Sequence, residues 1–92
     1  MISKNILNKG SDILDKQTTR LKISLITLTD IKRFVDAVSK LDGETIIENE
    51  AGTQRFTAKS FVGAVAAIEN WGDIWVVGDD TRLYTAVKDF VI

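Results

Sequence analysis

Apolar and polar positions follow two rhythms along this chain. From Leu21 to Leu28, "LKISLITL" is rich in β-branched residues and begins with period-two alternation, which predicts a strand. In "TDIKRFVDAVSKLDG" the period lengthens. Ile31, Phe34, Val35, Val38 and Leu41 recur at helical spacing and form one apolar stripe. Thr29 is the expected N-cap, Asp30 sits in the first turn, and Gly43 terminates the helix. "ETIIEN" and "QRFTA" read as two short strands joined by "EAGT", a hairpin signal. Ser60 then precedes "FVGAVAAIEN", apolar nearly all round, which predicts a short buried helix. "NWGD" is a turn, "DIWVVG" a strand, and "DDTRLYTAVKDFVI" a closing helix with Leu83, Val87, Phe90 and Val91 inward.

The order is β-α-β-β-α-β-α. Strands and helices interleaved around a hairpin predict an α+β fold, an open-faced sandwich of a mainly antiparallel sheet with helices on one face. Residues 1–20 differ from the remainder, with isolated apolar pairs in a polar background. They read as an N-terminal extension, either a flexible tail or a basic arm that docks on a partner, ahead of a domain at residues 21–92. Residues 1–22 carry a net charge of +3 and the rest −4.

Composition narrows the chemistry. The 92 residues, 45% hydrophobic and 27% charged, suit one small globular domain. The chain has no Cys and no His. Disulfide frameworks, thiolate nucleophiles and His-based metal or acid–base sites are therefore outside its repertoire. The carboxylates Asp42, Glu44, Glu48 and Glu50 read as a solvated rim around the hairpin, with no paired-acid site and no phosphate-binding loop. A net charge of −1, with no basic stripe interleaved with aromatics, predicts no nucleic-acid partner. No apolar run reaches the roughly 18–20 residues that span a bilayer, and no signal segment is evident, so the expected compartment is the cytoplasm. Neither a metal nor a cofactor is expected.

From Ala58 onward the chain resembles a known family. Lys59-Ser60 followed by the apolar run Phe61 to Ile68, the Gly72-Asp73 turn and the strand Ile74 to Val77 are similar to the histidine-containing phosphocarrier (HPr) family of the bacterial phosphotransferase system. The resemblance covers roughly residues 21–92. It implies the β-α-β-β-α-β-α fold with a four-stranded sheet covered by helices on one face. It also implies a carrier His, followed by Arg and Pro, in the loop before the first helix. That region here reads Thr27-Leu28-Thr29-Asp30, with neither His nor Pro. Threonine esters are too stable to pass a phosphoryl group onward, and Asp30 reads as a helix-dipole residue. The expectation is a non-catalytic regulatory or protein-binding module and not a phosphocarrier.

Two sets of candidate residues follow. By resemblance, Ser60 matches the position at which some family members are phosphorylated by a Ser kinase. Ser is also among the best N-caps, so the residue reads either as a cap alone or as a cap that doubles as a phosphosite. Lys59, Phe61, Val62, Val65 and Trp71 are the accompanying protein-binding candidates. The second set is the uncovered sheet face. If Trp75 and Val77 pack under the helices, Ile74 and Val76 point away from them and join Ile26, Leu28 and Ile46 in an apolar surface. Such a face would pair with a second copy in a homodimer, with the N-terminal arm, or with another protein.

Overall fold

The computed structural model describes residues 18–92, and the expected N-terminal extension lies almost wholly outside them. Strand β1 is Thr19–Ile23, helix α1 Leu28–Val38, β2 Thr45–Glu48, β3 Arg55–Thr57, α2 Phe61–Trp71, β4 Ile74–Gly78 and α3 Leu83–Val87, followed by a 3-10 turn at Lys88–Phe90. The strands form one antiparallel sheet in the order β1-β4-β2-β3. The molecule is thus α+β, with a four-stranded antiparallel sheet and three α-helices among the described residues.

The helices bury one face of this sheet. Ile23, Ile47, Ile74 and Val76 meet Ile31, Phe34, Val35 and Val38 of α1, Ala64 and Ala67 of α2, and Leu83 and Val87 of α3 in a single core. Phe34 is fully buried at its centre, and its ring lies edge-on to Phe90 with centroids 6.0 Å apart. The Ala residues of α2 let that helix lie close to the sheet. Gly63 serves the same purpose, since a Cβ there would stand 3.2 Å from the Thr57 carbonyl oxygen.

Three boundaries differ from the sequence pattern. First, β1 starts at Thr19 and stops at Ile23, so Thr19 and Arg20 belong to the sheet and not to an extension, and Ile26 and Leu28 belong to no strand. Thr27, not Thr29, caps α1. Its hydroxyl accepts from the Asp30 N–H at 3.0 Å, while the Asp30 carboxylate accepts from the Thr27 N–H at 3.3 Å and the Ile26 N–H at 3.2 Å. This reciprocal capping box outweighs β-propensity over residues 24–27. Second, Trp71 is the last residue of α2 and not part of the turn. Third, the closing helix is short, and Val91 bridges to Ile23 as an extended residue at the outer edge of β1.

The largest correction concerns the faces of β4. Ile74 and Val76, expected on the uncovered face, are only 1% and 0% exposed and lie in the core. Trp75 and Val77 point the other way. The pairing register explains the choice: Trp75 stands opposite Lys22 and Glu48, whereas Val76 stands opposite Leu21 and Ile47. Directly paired residues share a face, so the charged neighbours carry Trp75 outward.

One core position is imperfect. The Thr45 hydroxyl is buried beside Gly78 and meets no hydrogen-bonding group among the described residues. Replacing it with the near-isosteric methyl of Val should raise stability by about 1 kcal/mol, because an unsatisfied buried hydroxyl disappears. Urea unfolding of Thr45→Val should show a higher midpoint at unchanged slope. A lower midpoint would contradict this reading of the site.

Candidate functional site

Several of the sequence candidates fall at the N-terminal ends of α1 and α2. At α1, the capping box uses both oxygen-bearing side chains for structure. The Asp30 carboxylate is engaged by two backbone N–H groups, which leaves Ile26 and Leu28 turned to solvent. At α2, the Ser60 Oγ accepts from the Gly63 N–H at 3.1 Å and caps the helix. Phe61 and Val62 follow it in the first turn.

Each of these ends carries exposed apolar side chains. Ile26 is 83% exposed, Leu28 69%, Phe61 42% and Val62 76%. Phe61 links the two helices. It lines a hollow of about 320 Å³ with Lys32, Val35 and Asp36 of α1, and a second of about 260 Å³ with Val62, Val65, Ala66 and Glu69 of α2. Leu28, Lys32 and Asp36 are spaced at i, i+4 and i+8, so they form one row along the flank of α1 that meets Phe61. The periodicity reading missed Lys32 and Asp36, which lie beside the buried stripe. The signal that would have found them is the row that continues from Leu28.

Other candidates are placed elsewhere. Lys59 is not a free cation beside Ser60: its Nζ donates to the carbonyl oxygens of Leu41 at 2.8 Å and Gly43 at 3.0 Å, fastening the loop after α1. Trp71 lies ten residues along α2 from Phe61, roughly 15 Å away at 1.5 Å per residue. Its indole N–H donates to Gln54 at 2.8 Å, and its ring stacks on Phe56 at 5.3 Å, so it fastens α2 to the β2–β3 hairpin.

The uncovered sheet face is charged rather than apolar. Of the five residues expected there, only Ile46 takes that position, half-buried between Val77 and Thr57. Its neighbours form a clamp. The Glu48 carboxylate, 8% exposed, is paired with the Nε of Arg20 and with the Nε of Arg55 at 3.4 Å. The Arg20 guanidinium also donates to the carbonyls of Asn49 and Glu50, and it lies 4.8 Å from the centre of the Trp75 ring. The Lys22 ammonium approaches the same ring at 5.5 Å. Cation–π contacts and the aliphatic stems of both side chains shield the indole.

A further charged knot precedes α3. Asp80 Oδ1 accepts from the Arg82 backbone N–H at 2.8 Å, and Oδ2 accepts from Arg82 Nη2 at 2.7 Å and from the Asp42 N–H at 2.8 Å. The Arg82 side chain above all, then these two backbone donors, hold the Asp80 carboxyl well below the usual carboxylate range. The knot ties the loop after α1 to the loop before α3. Among the described residues, no group of three or more Asp and Glu is arranged to hold a metal ion, and no helix is long and apolar enough to cross a membrane.

Comparison of the chain with protein-family models, curated proteins and solved structures finds no significant match.

Two outcomes follow from this geometry. Ser60→Ala removes the cap of α2 and should lower stability by about 1 kcal/mol in denaturant unfolding, and an unchanged midpoint would contradict the cap. For Asp80, the folded-state value lies below the unfolded one, so its stabilisation is complete at neutral pH. That stabilisation should fade as pH falls beneath the unfolded value of about 4 toward the folded one. The stability gap between the wild type and Asp80→Asn should be level from about pH 8 to about pH 5 and narrow in stronger acid. A gap that widens in acid would contradict the assignment.

Proposed function

We propose that this chain is a non-catalytic protein-binding module of the HPr-like type, acting in the cytoplasm through the surface where the start of α2 meets the flank of α1. The observation that carries this reading is the exposed start of α2, where Phe61 shares one hollow with Lys32, Val35 and Asp36 of α1 and a second with Val62 and Val65, in a domain whose other uncovered face is closed by ion pairs. Exposed apolar side chains gathered around shallow hollows are the usual mark of an interaction surface. The element order and the Lys59-Ser60 segment support the HPr-like part of the reading. The capping role of Asp30 and the absence of His support the exclusion of phosphoryl relay.

Ser60 is the proposed regulatory position. Phosphorylation of its hydroxyl would set a charge of about −1.5 to −2 against the first-turn N–H groups of α2, directly beside Phe61 and Val62. A partner seated on those side chains would sense it. The alternative of self-association through an apolar sheet face has less support, because Ile74 and Val76 are buried and Ile26 and Leu28 lie at the start of α1.

The surface is tested by affinity capture from the native host with two variants side by side. Val62→Asp should lose the captured protein, whereas Arg55→Ala on the sheet face should retain it. The converse result would move the binding surface to the sheet. Incubation with the bacterial Ser kinase and ATP, followed by intact-mass measurement, should add one phosphoryl group to the wild type and none to Ser60→Ala. An unmodified wild type would remove the regulatory part.

A further inference from the structure

We infer that the occupant of the α1/α2 surface is a second copy of this chain, paired across a two-fold axis. The inference rests on the reading of that surface as a protein-binding one, and it names the partner. Its basis is a pair of charges within the surface. Lys32 and Asp36 are both exposed, both line the hollow under Phe61, and stand one helical turn apart. Neither has an ion-pair or hydrogen-bond partner among the described residues.

Their neighbours on α1 are used. Asp30 caps the helix and lies 3.8 Å from Arg33, which also reaches Asp89 at 3.6 Å. Lys32 and Asp36 do not satisfy each other, and a cation placed N-terminal to the acid is the weaker order for an i, i+4 pair. A protein that docks here must meet one positive and one negative group about 6 Å apart along a helix, within an apolar surround.

Helix α1 itself has that complement. In a two-fold interface, residue i meets residue j and j meets i. An axis passing between Lys32 and Asp36 brings Lys32 to the partner's Asp36 and Asp36 to the partner's Lys32. Two ion pairs form from one alignment. The row carries no net charge, so two copies approach without repulsion. Leu28, one turn before Lys32 in the row, and Phe61 beside the row supply the apolar contact.

The test is sedimentation velocity of the full chain over a wide concentration range, with charge-reversed variants. The wild type should shift from monomer to dimer. Lys32→Asp and Asp36→Lys should each weaken dimerisation about tenfold, because two exposed ion pairs become two repulsions. An equimolar mixture of the two variants should recover it, since each supplies the charges that the other needs. The double exchange Lys32→Asp with Asp36→Lys should also recover it. A chain that stays monomeric throughout, or variants that fail to rescue each other, would overturn the inference. If the chain is monomeric while Val62→Asp still loses a captured protein, the second copy is excluded and the surface reading stands.

Discussion

The Glu48 carboxylate organises the side of this molecule that the helices leave uncovered. It sits on β2, and two guanidinium groups reach it from the two edge strands, Arg20 from β1 and Arg55 from β3. Arg20 spans the intervening strand β4 to do so, crossing the Trp75 ring on the way. A single buried anion thus ties all four strands on one face. It also settles what that face is. Apolar surface that would invite another protein is shielded by the stems of charged side chains, and the edges are blunted by Arg and Lys.

On the helical side of the fold, the exposed apolar side chains Ile26, Leu28, Phe61 and Val62 depend on two helix caps. The Thr27–Asp30 box fixes where α1 begins and so turns Ile26 and Leu28 outward. Ser60 and Gly63 fix where α2 begins and how closely it lies on β3, which brings Phe61 against α1. Lys59 and the Asp80–Arg82 knot hold the loop after α1, at Leu41 to Gly43. Polar groups that could be taken for chemistry are in large part fasteners, and the row along α1 that they position carries one unpaired cation and one unpaired anion, Lys32 and Asp36.

Much of the fold is legible in the sequence. The stripe of Ile31, Phe34, Val35 and Val38 places α1 and its buried side, and Ser60 marks the start of α2. What is not legible has identifiable causes. In "IWVV" both faces are apolar, so alternation separates the two sets without saying which is inside. The information lies in the partners, since Arg20 and Lys22 on β1 share a face with Val77 and Trp75. The loop at residues 24–27 is hidden because "SLIT" has strand propensity, and only the relation of Thr27 to Asp30 reveals the cap. Lys59 and Trp71 look available in sequence because their partners, the carbonyls of Leu41 and Gly43 and the ring of Phe56, are distant along the chain. The row of Leu28, Lys32 and Asp36 becomes meaningful only when Phe61 is seen beside it.

Association in this protein uses the flank of α1 and the start of α2, and not the open sheet. Amide chemical-shift mapping of the labelled full chain tests it most directly, as association is driven by concentration or by addition of a captured protein. The changes should cluster at Leu28, Lys32, Asp36 and from Phe61 to Val65. Changes centred on Arg20, Lys22, Ile46 and Trp75, with the helix ends unmoved, would contradict it.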